Sequence, residues 1–448
     1  MLEPIRTAAS EDAPVGTAIT AAADAVGRTT NEPVRIPKAR YVSPEFAALE
    51  AERMWPRVWQ IACTVDHVSD PGDYFEYRIG TLSILIVRDL DGALRAYQNV
   101  CRHRGNLICT GAGHGLEELR CGYHRWCWGL DGRLREVPSR KGFGVLRNDD
   151  YPLFPASVDA LGPIVFVNPD PEAMPLAEYL EAVPDDLAWL GLDDFRGNAV
   201  VTVPVAANWK VVADGFSETY HVQGLHREMI GSMDDIDAPQ QVWGHTSKSA
   251  QHYGVPSPRF RGGLDDQTVW DSFIITQGGR MGITEPCPVP ELAAGETVAD
   301  AIAARVRAFQ AEKGGADLSG FDTTQMLELH QYNVFPNATI LITPDLLSVI
   351  VARPGADAEH AEMVMINFSR VASADAPRTQ PFDVTLGPDE ADFGFVLNAD
   401  MRIAPDVQRG LRQPGLTHLT LSSEECRIIN THRNLERYLG IGPEDPVA

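Results

Sequence analysis

The chain has 448 residues, 44% apolar and 22% charged, with a formal net charge of −24. That length allows two domains with full cores, and the acidic balance argues against nucleic acid as a partner. No run of about 18 apolar residues is present, so no membrane-spanning helix is expected. The seven cysteines are too sparse for a disulfide framework. No basic-then-apolar leader is apparent either, which points to a cytoplasmic, reducing location.

In chain order, residues 1–40 are rich in Ala, Thr, Pro and acids and lack periodicity, as expected of a flexible tail. Residues 41–60 predict a helix packing on the larger domain, capped by Ser43-Pro44 and carrying Phe46, Leu49 and Met54 at helical spacing. Residues 61–168 change character. Short alternating runs are punctuated by Pro71-Gly72, Asp91-Gly92, Asp131-Gly132 and Gly162-Pro163, which predicts a small β domain.

Inside that domain stand Cys101-x-His103 and Cys121-x-x-His124. Each half pairs a thiolate with an imidazole. Two such halves suit a [2Fe–2S] cluster with both cysteines on one iron and both histidines on the other, the Rieske arrangement. A structural zinc site is the alternative, although zinc fingers usually keep like ligands together. Gly105 and Gly122 suit a backbone curling close to sulfide ligands. The glycine run Gly111–Gly115 lacks the flanking strand and helix of a nucleotide fingerprint and reads as a loop. From Cys101 to Lys141 there are eight Lys/Arg against four Asp/Glu. This local excess would suit docking of an acidic electron donor, or equally the solvation of a small domain.

Residues 169–448 predict a second, mixed domain. Pro175–Leu190 and Val298–Lys313 read as amphipathic helices, and Phe393–Arg412 as a long helix interrupted at Pro405. Val200–Val205, Val269–Thr276, Thr339–Thr343, Leu346–Arg353 and Glu362–Arg370 read as strands. Helices over an antiparallel sheet make the fold class α+β.

Asp214, Glu218 and His221 fall at i, i+4 and i+7, one face of a predicted helix; Gly224 then breaks it so that His226 can return toward His221. Asp400 lies on a stripe with Val396, Ile403, Val407 and Leu411, where an uncompensated carboxylate is costly. Two imidazoles and one carboxylate form a facial triad for iron(II) with open positions. On the stripe alone, a buried acid paired with Arg402 or Arg409 is an equal reading.

With these residues in place, the chain resembles the large catalytic α subunit of Rieske non-heme iron ring-hydroxylating oxygenases, from about Ser43 onward. The resemblance implies a helix-grip catalytic domain. Cys101, His103, Cys121 and His124 match the family's cluster ligands; His221, His226 and Asp400 match its iron ligands. It also implies dioxygen as co-substrate, NAD(P)H-derived electrons from a reductase or ferredoxin, and a homotrimer or an α3β3 assembly with a small β subunit. The family's bridging carboxylate matches Glu218, which would join His124 of an adjacent chain to His221, with Asp214 tuning that bridge through a hydrogen bond.

The expected substrate is an aromatic or similar apolar small molecule, as in aromatic hydrocarbon catabolism. The alternative is a monooxygenase or demethylase acting on a quaternary amine or methoxylated compound. Departures from the family pattern are Glu for Asp at 218, a feature resembling quaternary-amine members, Arg125 where Gly is common, and Ala399 where an acid is common. A cation cage could be drawn from Trp243, Tyr253 and Trp270, but core packing explains them as well.

Overall fold

The protein is described by a computed structural model for residues 32–445. Strand β1 (Val34–Pro37) and the start of helix α1 (Ala39–Val42) fall in the last part of the segment expected to be a tail, whose residues 1–31 lie outside the described residues. Val34 and Ile36 point into a small core with Tyr41, Leu411, Leu421, Ile428 and Ile429, so apolar burial orders this segment despite its composition.

Helix α2 (Pro44–Arg53) follows. Ser43 caps it by accepting the Phe46 N–H, and Pro44 occupies the first turn. Its Glu50 is 2% exposed and accepts from Lys210 Nζ at 2.6 Å and Trp209 Nε1 at 3.1 Å. Removing one partner of a buried ion pair strands the other charge. Glu50→Ala is therefore expected to lower stability by roughly 3–5 kcal/mol, read as a shift in denaturation midpoint at unchanged slope.

The β domain contains β2 (Gln60–Thr64), β3 (Tyr74–Ile79), β4 (Leu82–Arg88), β5 (Leu94–Gln98), β6 (Ala112–Gly113), β7 (Leu119–Arg120), β8 (Cys127–Trp128), β9 (Leu134–Glu136), β10 (Pro155–Leu161) and β11 (Ile164–Asn168). Seven form one sheet in the order β2-β11-β10-β5-β4-β3-β6, and β7-β8-β9 form a second. The short β6 falls within the glycine run read as a loop. The expected turns carry positive φ at Gly72, Gly92, Gly132 and Gly162, where a side chain would be strained.

In the larger domain the predicted helix at 175–190 is broken. It forms α3 (Leu176–Leu180) and α4 (Val183–Leu187), separated by Glu181 at φ 55°. The Glu181 carboxylate accepts the backbone N–H groups of Gly244, His245 and Thr246, which holds the kink. Then come β12 (Phe195–Val205), α5 (Trp209–Gly215), α6 (Val222–Leu225), β13 (Met233–Asp234), β14 (Gln240–Val242), β15 (Thr246–Tyr253), α7 (Asp266–Met281), α8 (Val298–Glu312), α9 (Thr323–Leu327), β16 (Glu328–Val334), β17 (Ala338–Ile342), β18 (Leu347–Pro354), β19 (Ala361–Arg370), β20 (Phe382–Thr385), α10 (Gly394–Leu411), β21 (His418–Leu421) and α11 (Cys426–Leu439).

The main sheet runs β13-β15-β16-β17-β18-β19-β12-β20, with β14 also on β15; only the β12–β20 pairing is parallel. Residues 269–276 are helical, contrary to the strand reading. Asp265 caps α7 by accepting the Thr268 N–H, Gly282 ends it at φ 66°, and Val269, Trp270, Phe273 and Ile274 are buried. Capping and tertiary packing outweigh the β-propensity of its Val, Ile and Thr. Helix α10 runs continuously through Pro405. The largest core joins both domains, uniting Ile61, Ile84 and Phe166 with Val349, Ile350 and Ile366. Among the described residues, no helix is long and apolar enough to cross a membrane.

Candidate metal centres

The two halves of the Cys/His pattern sit on matching turns. Gly105 N–H returns to the Cys101 carbonyl at 3.0 Å, and Arg125 N–H to the Cys121 carbonyl at 3.1 Å. Both fourth-following residues have positive φ, 77° and 65°. Arg125 thus occupies a backbone position that favours glycine, which gives its departure from the family pattern a local energetic cost. Both Gly105 and Gly122 have open space where a Cβ would stand, and Gly105 alone of the two has a positive φ, so its conformation favours glycine.

Cys101 and Cys121 are 4% and 1% exposed, over a core that includes Trp126 and Trp128. Burial, together with the neighbouring Cys121 thiol, pushes the Cys101 thiol up, against hydrogen bonds from the His103 and Arg104 N–H groups. Two adjacent buried thiols are readily deprotonated only against a cation. The His103 ring stacks on Trp126 at 5.3 Å and lies 4.5 Å from the His124 ring. His103 Nδ1 is buried with no hydrogen-bond partner. Paired thiols and an orphaned imidazole nitrogen fit a Rieske cluster. Of the nearby arginines, Arg120 pairs with Glu118 and Glu136, and Arg102 donates to the Pro152 and Asp150 carbonyls. Part of the basic excess therefore holds the domain together.

The second constellation begins with α5. Asn208 caps it by accepting the Lys210 N–H, and Trp209 and Val212 are buried. The helix predicted to reach His221 stops at Gly215. The Phe216 carbonyl is taken by Gln331 Nε2 at 2.6 Å and Asn333 Nδ2 at 2.8 Å, from β16. Asn333 is itself held by Arg427 Nη1 at 2.8 Å. The chain then turns, and Glu218 accepts the His221 N–H at 3.0 Å while its other oxygen meets His221 Nδ1 at 2.5 Å.

Gly224 lies inside α6 and does not break it; the helix ends with His226 at φ −115°. His226 is 1% exposed, with Nε2 2.8 Å from Asp400 Oδ1. His221 Nε2 is 3.8 Å from the same oxygen. One ligand atom from each of His221, His226 and Asp400 lies within 4.8 Å of the others. Among the described residues no guanidinium pairs with Asp400; Arg409 turns to Asp406. Two imidazoles and a carboxylate that converge with no guanidinium beside the carboxylate are a donor set that would suit iron. Burial opposes a charge on His221, but the Glu218 hydrogen bond and charge, with Asp400, hold its pKa above the ordinary value.

Asp214 has a partner that the sequence did not suggest. Tyr41 Oη donates to Asp214 Oδ2 at 2.6 Å and lies 2.7 Å from His432 Nε2. Burial pushes the Asp214 carboxyl up to about 7, against the Tyr41 hydrogen bond and the Lys210 charge. A carboxyl raised in the fold keeps its proton where the unfolded chain has lost it. Stability from this group therefore falls as pH rises from about 4 to about 7. Asp214→Asn is expected to gain stability relative to the parent between pH 5 and pH 8, by a few kcal/mol at most. A difference independent of pH, read from urea midpoints, contradicts this.

Two cavities flank the Gly215–His221 segment. One, of about 410 Å³, is lined by His221, His226 and Asp400 together with Gln251, Tyr253, Arg280 and Gln331. The other, of about 480 Å³, shares Glu218, His221 and Asp400 with the first and adds Tyr41, Asp214 and Glu425 among apolar residues of α10, β21 and α11. The expected α10 stripe is only partly buried: Leu411 is 3% exposed, but Ile403 and Val407 are 44% and 41% exposed at this second cavity. Trp243, Tyr253 and Trp270 do not form a cage. Tyr253 and Trp270 belong to one core, and Trp243 packs against another.

The profile of the ring hydroxylating alpha subunit (catalytic domain) matches residues 192–441, more than half the chain. The chain belongs to this family. A Rieske [2Fe-2S] domain profile matches residues 58–152, so the cofactors are a Rieske cluster and a mononuclear non-heme iron. The chain is 31% identical over 213 residues to the glycine betaine monooxygenase oxygenase subunit of Chromohalobacter salexigens, covering 46% of each protein. It is 30% identical over 204 residues to choline monooxygenase, chloroplastic, of Spinacia oleracea, covering 43% of this chain and 45% of that protein. Each match spans about half the length of the curated relative. Among solved structures, the quaternary ammonium Rieske monooxygenase CntA with L-carnitine has TM-score 0.62 at 19% identity, covering 90% of this chain and 95% of that one. Naphthalene 1,2-dioxygenase with indole has TM-score 0.62 at 18% identity, covering 91% and 92%. At these identities the structural likeness speaks for the fold.

Proposed function

We propose that the protein is the terminal oxygenase component of a monooxygenase acting on a quaternary ammonium compound. The observation that carries the oxygenase part of this reading is the convergence of His221, His226 and Asp400 at the wall of the 410 Å³ cavity, with Glu218 behind His221. When bound, iron(II) on those three residues supplies open positions for dioxygen, and a cluster on Cys101, His103, Cys121 and His124 supplies electrons. Glu218 occupies His221 Nδ1, which fixes the ring and directs Nε2 to the shared ligand position. Phe216, Val222, Met229 and Leu341 give the cavity an apolar wall that limits water beside the ligands.

The substrate class rests on the relatives named for glycine betaine, choline and carnitine, and on Glu at position 218. This replaces the aromatic substrate expected from the general resemblance. Electrons come from a separate reductase or ferredoxin. Within one chain His124 makes no hydrogen bond to Glu218 among the described residues. The tip around His124 exposes Tyr123, Phe143 and Val145, with Arg104 over the Tyr123 ring. The 480 Å³ cavity offers carboxylates and apolar side chains to match. We therefore place His124 of one copy against Glu218 of a neighbouring copy.

The test is product analysis with a reconstituted reductase. A singly hydroxylated amine or released formaldehyde, one per dioxygen consumed, supports the reading; a cis-diol from an aromatic compound, with no turnover of quaternary amines, contradicts it.

A further inference from the structure

The 410 Å³ cavity carries unlike charge on different walls. Glu218 and Asp400 stand with the histidines, whereas α7 contributes Arg280, the sole Lys or Arg of the lining. Arg280 is 8% exposed. Its Nε and Nη2 fork onto Asp345 at 3.0 and 2.6 Å, and Nη2 also reaches the Met326 carbonyl and Thr343 Oγ1. Nη1 makes no hydrogen bond to any described residue and keeps some access to solvent. A guanidinium remains charged under all ordinary conditions, so this is a fixed donor left over at a ligand cavity.

We propose that Arg280 Nη1 binds the carboxylate of a zwitterionic quaternary ammonium substrate, and so selects betaine-type acids over choline-type alcohols. This rests on the quaternary ammonium reading. A quaternary nitrogen has no N–H to donate; it is held by apolar and aromatic surface, and Phe216 and Tyr253 are among the residues lining this cavity. The carboxylate end then meets the one positive group of the lining. Asp345 keeps the guanidinium in place, since two of its nitrogens are already committed. A choline-type alcohol leaves that donor without an anionic partner, and a site built for a polar group discriminates against ligands lacking it.

The experiment compares γ-butyrobetaine with choline in wild type, Arg280→Gln, Arg280→Lys and the double variant Arg280→Gln/Asp345→Asn. The double variant leaves no stranded buried acid. Wild type is expected to favour the zwitterion. The zwitterion-to-choline ratio of kcat/KM is expected to fall about 10–100-fold in both Gln variants, chiefly through KM, with partial recovery in Arg280→Lys. An unchanged ratio, or a wild-type preference for choline, overturns the proposal. Calorimetry with 5,5-dimethylhexanoate, the uncharged-carbon counterpart of γ-butyrobetaine, separates the two claims. If no quaternary amine is turned over but wild type binds this acid and the double variant does not, the amine reading fails and the anchor stands. Equal binding by both proteins removes the anchor.

Discussion

Glu218→Gln is expected to leave the cluster reducible by dithionite or reductase while lowering steady-state turnover by roughly 10²-fold. Gln keeps the length of the side chain and one acceptor, so the backbone bond to the His221 N–H can persist. It loses the charge that makes the 2.5 Å contact to His221 Nδ1 strong. The same charge, as a proposed link, is what would meet an imidazole N–H of His124 from a neighbouring copy. A purely structural Glu218 would instead show as lost stability with catalysis per folded molecule unchanged. Reduction monitored at the cluster absorption, set beside product formation, distinguishes these outcomes; full activity in the variant removes the bridging role.

Asp400→Ala is expected to abolish mononuclear iron binding while cluster iron and its visible spectrum remain. Turnover should fall by more than the roughly 10–100-fold that outer partners of a metal cost. Asp400 has side-chain exposure of 12% and faces Nε2 of both histidines. With no arginine beside it, the carboxylate and two imidazoles within 4.8 Å of one another suit a shared cation. Iron analysis per chain, before and after chelation, measures this directly. Unchanged iron content in the alanine variant would return Asp400 to the role of a buried structural acid.

Much of this was legible in the sequence because the ligands come in tight local patterns. Cys101-x-His103 and Cys121-x-x-His124 lie on short turns whose geometry is set within a few residues. Asp400 was also accessible, as a carboxylate on an apolar stripe, although Ile403 and Val407 proved to face a cavity. What the sequence could not give came from distant partners. The helix after Trp209 stops because Gln331 and Asn333, more than a hundred residues away, capture the Phe216 carbonyl. Periodicity contains no trace of that.

Tyr41 is similar. It reaches Asp214 only because β1 pairs with β21 and carries α1 against α11. Residues 269–276, helical where a strand is expected, show the opposite case. Their composition favours β structure, but the Asp265 cap and the Gly282 stop were both present in the sequence as local signals for a helix. Arg280 carries no signal in the sequence for a related reason: a lone arginine near a helix end is ordinary without the cavity beside it.

In the proposed assembly the cluster of one chain serves the iron of another. Its most direct test is complementation between two inactive variants, Cys101→Ser, without a competent cluster, and Asp400→Ala, without the iron. Each is expected to be inactive alone. Co-assembled in equal amounts, they are expected to recover activity, up to about a quarter of the wild-type value if copies mix randomly in a closed ring with one link per interface. Mixed assemblies with verified composition and no recovered turnover would contradict the account, because electrons would then have to stay within a single chain.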